Sequence, residues 1–242
     1  MNEAIETIKL RKEFGSKTAV NDLSLDVRQG ELFAILGVNG AGKTTTIRML
    51  TGLCAPTSGD ARVMGHSILT DLDDVKRIGN LSPQETSVAP NLTVRENLEF
   101  IAGIYGATRE ERRRKADEVI EQFGFEEISG SKAKTLSGGW QRKLSIAMAL
   151  ITEPRILYLD EPTLGLDVLA RRELWKLIRS LKGKVTVILT THYMEEAEEL
   201  SDRIARMEKG SLVASGTLQQ LRERTGKETL EDIFVYIVEG IK

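Results

Sequence analysis

Gly37-Val38-Asn39-Gly40-Ala41-Gly42-Lys43-Thr44 sets three glycines, a lysine and a hydroxyl at fixed spacing. Glycines let successive backbone N–H groups turn inward around phosphate oxygens, Lys43 can reach β- and γ-phosphates, and the Thr44 hydroxyl can ligate Mg²⁺. The segment follows the unbroken apolar run Leu32–Leu36 and opens a helical pattern at Lys43 that ends near Gly52, which is the context such a loop requires. A second group, Asp160-Glu161, closes the apolar strand pattern that begins at Ile156. Ligands of open α/β sheets bind at that end of a strand, where Asp160 can hold Mg²⁺ through water and Glu161 can polarise an attacking water; the other reading is a solvated pair capping the next turn. His192 follows the strand pattern Val185–Thr190 and emerges at the same edge. Ser137-Gly138-Gly139, before a helical pattern over 140–152, reads either as a helix cap or as a second anion-binding helix start. Gln84, after the apolar stretch Ile78–Leu81, carries no signal of its own.

The elements that must position these groups follow from periodicity. Residues 3–36 read as strands, with Ile5, Thr7, Ile8 and Leu10, then Leu23, Leu25 and Val27 at period two, then the run Leu32–Leu36 that suits a parallel sheet buried on both faces. A short strand is expected around Arg62–Met64. From about Thr86 to Glu153 the pattern turns helical: Thr93 with Glu96 is a capping-box pair opening Val94–Ile104, and helices over 109–123 and 140–152 follow. Alternation then returns through Ile156–Asp160, Val168–Leu181, Val185–Thr190 and Met194–Leu200. A hairpin around Lys209-Gly210-Ser211 and short polar helices from Leu218 finish the chain. The charge runs Arg112–Lys115 and Glu195–Glu199 read as solvated helix faces.

Composition excludes several classes. The 242 residues suit one large domain or two small ones, and 40% hydrophobic content supplies a core. With 34 basic against 36 acidic residues, no basic field invites nucleic acid. Cys54 is the single cysteine, so no internal disulfide forms; a reducing interior is the expected setting, and Cys54 is assigned to packing. No secretory leader opens the chain, and its longest apolar runs are far short of the roughly 18 residues a membrane helix needs.

In this order and across essentially the whole chain, the motifs resemble the nucleotide-binding subunit of ABC transporters. Leu-Ser-Gly-Gly at 136–139 is followed by Gln141-Arg142, Pro162-Thr163-Leu164-Gly165-Leu166-Asp167 is similar to the family's D-loop, and Thr191-His192 is similar to its switch histidine. Gln84 lies in a Ser-Pro-Gln-Glu context like the Q-loop, and Phe14 sits where an aromatic stacks on adenine. The segment Thr191–Leu200 and the tail Thr229–Phe234 look like the drug-resistance or ABC-2 export type.

The resemblance implies a P-loop α/β fold with an N-terminal antiparallel β subdomain, an inserted helical subdomain at about 86–153 and a short C-terminal extension at about 217–242, all one ATPase domain. It implies ATP and Mg²⁺ as ligands: Phe14 and Val20 on the base; Gly37, Val38, Asn39, Gly40, Ala41, Gly42, Lys43, Thr44 and Thr45 around the phosphates; Thr44, Gln84 and Asp160 on the metal. Glu161 would act on water, with Lys43, Gln84 and His192 as its catalytic companions. Ser137, Gly138, Gly139 and Asp167 would complete the site of a second ATP-binding subunit, so a head-to-tail dimer, expected to be a homodimer, would enclose two ATP. A separate transmembrane permease, docking near Gln84–Gly106, would hold the dimer at the cytoplasmic face of the membrane. A soluble switch ATPase in an assembly machine stays open as the alternative. Three positions depart from the family pattern: Val38 for a proline, Trp140 for a glutamine and Leu164 for a serine.

Overall fold

The computed structural model describes residues 3–240. Strands β1 (Glu3–Phe14), β2 (Lys17–Leu23) and β3 (Asp26–Arg28) lead into β4 (Leu32–Leu36), the phosphate loop and helix α1 (Lys43–Leu50). Next come β5 (Ser58–Val63), β6 (His66–Ser67), α2 (Leu72–Ile78) and β7 (Gly79–Ser82). The helical segment holds α3 (Val94–Ile104), α4 (Arg109–Phe123) and α5 (Gly138–Leu150). Then follow β8 (Ile156–Asp160), α6 (Val168–Ser180), β9 (Thr186–Thr191), α7 (Met194–Leu200), β10 (Arg203–Glu208), β11 (Ser211–Gly216), α8 (Leu218–Thr225) and α9 (Leu230–Gly240).

Two sheets form. The larger runs β11-β10-β4-β9-β8-β7, parallel except where β11 turns back on β10, and every residue of its central strands β4, β8 and β9 is buried. The smaller is antiparallel, order β2-β1-β5-β6 with β3 also on β1. Alternation along the buried strands divides the interior: Leu157, Leu159, Val187 and Leu189 face the helical segment, whereas Phe33, Ile35, Ile156 and Tyr158 face the antiparallel sheet and α1. Capping boxes at Thr93 and Thr108 start α3 and α4. Cys54 is half-buried and packs against the second of these cores.

Three expectations need correction. The strand near Arg62–Met64 begins earlier, at Ser58, because Gly59 makes a close approach to the carbonyl of Lys9 that no side chain would permit. The period-two run Leu23–Val27 is divided between β2 and β3, both of which pair with β1. The tail is not uniformly polar: Leu230, Ile233 and Phe234 of α9 are buried in a third cluster with Ala34, Leu36 and Leu221. Truncating Phe234 to alanine removes a buried ring and lowers unfolding free energy by about 3 kcal/mol or more in urea titration; a variant as stable as the parent contradicts this docking.

Candidate active site

Each chemical group stands at the carboxyl edge of the parallel sheet. Gly37 leaves β4 so close to the Met207 carbonyl that an added Cβ would lie 2.6 Å from it, and at Gly42, with φ of 104°, a Cβ would lie 2.5 Å from the Ala19 carbonyl. Glycine is required at both positions. The loop opens α1, and beside it lies a cavity of about 460 Å³. Its lining includes Asn39, Gly40, Lys43, Thr44 and Thr45 of the loop and α1, together with Gln84, Glu161 and His192, and with Phe14, Lys17 and Ala19 of the first two strands and the turn between them.

The two acids of β8 are held differently. Asp160 Oδ1 accepts a hydrogen bond from Thr44 Oγ1 at 3.1 Å and another from the Thr190 hydroxyl of the adjacent strand. Glu161 lies one residue beyond the strand with a left-handed φ of 49°, which a non-glycine residue adopts only under local constraint; its N–H donates to the Thr190 carbonyl and hydroxyl, both at 3.1 Å. That turn brings its carboxylate to Lys43 Nζ at 3.0 Å and to His192 Nδ1 at 2.7 Å, with Lys43 and Glu161 both about 5% exposed. A carboxylate only accepts, so the proton of the histidine bond sits on Nδ1. Lys43 also donates to the Gly37 carbonyl at 2.6 Å.

Oxygen donors from Thr44 and Asp160, with Gln84 in the lining of the same pocket, are the hard ligand set that Mg²⁺ prefers. The loop's glycines and Lys43 suit phosphate oxygens, and Phe14, 54% exposed with Lys12 Nζ 5.0 Å over its ring, lines the same pocket and can stack a planar base. Val20 does not line this pocket. It is fully buried in the core beside Gly42, whereas Lys17 and Ala19, two residues apart on the other face of β2, line the pocket. Val38 is exposed at the loop.

Ser137, Gly138, Gly139 and Asp167 are not part of the pocket. Ser137 caps α5 through Trp140 N–H, and Asp167 caps α6 through the N–H groups of Leu169 and Ala170. Ser137 and Gly139 instead line a separate small cavity with Trp140, Lys143, Ala170 and Glu173. Trp140 packs against Phe125, with Lys143 4.5 Å over its ring. Leu164 reaches the main pocket and is partly exposed.

Comparison with known proteins bears on this site. A family profile described as ABC transporter matches residues 20–164. The daunorubicin/doxorubicin resistance ATP-binding protein DrrA of Streptomyces peucetius is 42% identical over 228 residues, which are 94% of this chain and 69% of that protein. The phospholipid-transporting ATPase ABCA3 of Homo sapiens is 43% identical over 210 residues, 87% of this chain, but the chain spans only 12% of that protein's length. A solved dimer of the ATP-binding cassette MJ0796, in a post-hydrolysis state bound to ADP and Pi, superposes with a TM-score of 0.78 at 27% identity, covering 88% of this chain and 98% of that one.

Sequence reasoning missed one buried group near the site. Glu196, within a run of acids that reads as a solvated face, is completely buried on α7, where its Oε1 accepts from Trp175 Nε1 at 3.0 Å. Burial pushes its carboxyl above the usual carboxylate range, against the pull of the nearby Thr191 and Thr163 hydroxyls and of the Trp175 bond, and the charge of Glu161 adds to the rise. A raised pKa in the folded chain means that this group's stabilising contribution is full below the unfolded value, about pH 4, and is lost as pH rises through the folded value. Glu196→Gln keeps an oxygen for Trp175 and does not titrate. Its melting temperature therefore matches the parent's at about pH 4 and exceeds it at about pH 8; a variant less stable than the parent at the higher pH contradicts the assignment.

Proposed function

The chain belongs to the ABC transporter family, and from that premise we propose that it is an ATP-hydrolysing subunit that works as a head-to-tail homodimer and drives export through a separate membrane permease. The observation that carries this reading is the buried Glu161 carboxylate, set between Lys43 and His192 on the floor of the pocket that the phosphate loop borders.

In the absence of phosphate, Lys43 neutralises Glu161. When ATP enters, Lys43 turns to phosphate oxygens and Glu161 is left with a charge held only by His192, in position to accept a proton from the attacking water. Thr44, Asp160 and Gln84 would hold Mg²⁺, which when bound offsets the charge on the phosphates. Backbone N–H groups of the Gly37–Thr44 loop and the start of α1 bind and orient the triphosphate, Thr45 adds a hydroxyl, and Phe14 stacks on the base.

The described residues form one pocket of this kind and, elsewhere, the Ser137–Gly139 helix start and Asp167 as the cap of α6. Two copies placed head to tail would bring the helix start of each onto the nucleotide of the other, so that ATP joins the copies and hydrolysis releases them. Residues 1–242 would act as one ATPase unit with its helical part at about 86–153 and its extension at about 217–242. No helix among the described residues is long and apolar enough to cross a membrane. The half-exposed Phe100, Ile104 and Tyr105 of the helical part lie within the stretch proposed for the permease, which would hold the dimer at the cytoplasmic face of the membrane. The likeness to DrrA, a resistance protein by name, supports export as the direction.

Glu161→Gln tests the hydrolytic role. ATP binding is retained, steady hydrolysis drops by about 10²–10³-fold, and the ATP-bound dimer accumulates on size exclusion; a variant turning over at the parental rate refutes it. Ser137→Arg tests the shared site: hydrolysis falls by a similar factor while ATP affinity of the monomer stays near the parent's. An equal loss of both would place Ser137 in its own chain's pocket.

A further inference from the structure

Arg142 is a buried arginine whose hydrogen bonds go to backbone carbonyls rather than to a carboxylate. It sits one turn into α5, 4% exposed, and its three hydrogen bonds all end on backbone carbonyl oxygens: Nη1 to Pro83 at 2.6 Å, Nη2 to Gln84 at 2.5 Å, and Nη2 to Glu161 at 3.5 Å. Burying a guanidinium with only carbonyl oxygens at hydrogen-bond distance is unfavourable, and burial pulls its pKa below the usual arginine range, against the opposing charges of Asp160 and Glu196. The group is nonetheless held there by carbonyls of two separate segments that both carry pocket side chains, Gln84 and Glu161. Ser145, three residues along the same face of α5, meets the hydroxyl of Ser82 at 3.0 Å. One face of α5 thus grips the chain from Ser82 to Gln84 as it leaves β7. The far end of the same loop is fixed independently, by Asn97 bonding Ala89, Leu92 and Thr93.

We infer that Arg142 is a positioning residue that locks the backbone of Gln84 and Glu161 to α5, so that the pocket's own metal and water groups take their places only when the Ser137–Gly139 start of α5 does. The inference rests on the ATPase reading above and adds to it a physical link, within each copy, between its own pocket and the helix start that it lends to the other copy's site. A planar guanidinium suits the task because its fork can satisfy carbonyls in two directions at once, which an ammonium cannot. Displacement of reacting groups by about 1 Å typically costs 10²-fold in rate, and loss of an outer group behind a metal ligand about tenfold in metal affinity.

The full-length chain and its Arg142→Met and Arg142→Lys variants are compared for melting, ATP dissociation constant, kcat, KM for ATP and the Mg²⁺ concentration giving half-maximal rate. Arg142→Met is expected to bind ATP within about twofold of the parent, to lose about 10²-fold in kcat and to need about tenfold more Mg²⁺, with Arg142→Lys intermediate because its ammonium reaches only part of the carbonyl set. Parental kcat and Mg²⁺ dependence in Arg142→Met overturn the inference, as does a change confined to KM. Should Arg142→Met fail to melt cooperatively, Arg142→Lys decides: a folded lysine variant with parental kcat and Mg²⁺ dependence, or one that also fails to fold, overturns it in favour of a purely core role. A parent chain without ATPase activity removes the underlying reading instead, which sets the two failures apart.

Discussion

A buried negative charge at the end of β8 governs the pocket. Glu161 is turned out of the strand by a left-handed backbone, secured by Thr190 on the neighbouring strand, and has Lys43 and His192 as its charged or polar partners. Buried charges persist only when paired, so the lysine of the phosphate loop and the histidine after β9 are drawn to one point. Three strands of one parallel sheet supply these groups, and their complete burial is what makes the point rigid. Any phosphate that enters must compete for Lys43, and that competition is how binding would prepare the carboxylate for water.

The same physics explains why a separate helix matters to the pocket. Gln84 lies on an exposed loop after an edge strand, where few apolar contacts hold it. Its backbone is tied instead to α5 through Arg142, while α5 presents Ser137 and Gly139 to a different cavity. On α6 and α7, the Trp175–Glu196 bond joins the helix that Asp167 caps to the helix that follows His192. Pocket and helix starts are therefore connected through a few buried polar contacts rather than through the apolar core alone.

Much of this was legible in the residues. The Gly37–Thr44 loop, Asp160-Glu161 and His192 stand out because each depends on a local pattern, an apolar strand followed by a polar group at its end, and local patterns survive in sequence. Glu196 is hidden because a run of glutamates looks solvated whichever of them turns inward. Strand β7 escaped notice for a different reason: as an edge strand with a glycine, an asparagine and a serine, it is held by pairing with β8 more than by its own propensity. Arg142 enters the sequence only in the Gln141-Arg142 pair that follows Leu-Ser-Gly-Gly, and only the tertiary contact with carbonyls far along the chain reveals what it holds. The apolar face of α9 was likewise hidden by the charges on either side of it.

The central claim is that one ATP is shared between two copies of this chain, with the carboxylate site from one and the α5 start from the other. It is tested most directly by mixing two inactive variants, Lys43→Met, which lacks the phosphate grip, and Ser137→Arg, which lacks a usable helix start, and measuring hydrolysis of the mixture. A mixed dimer would contain one intact site, so the account predicts a rate well above the sum of the two variants measured separately. A mixture no more active than that sum would contradict it.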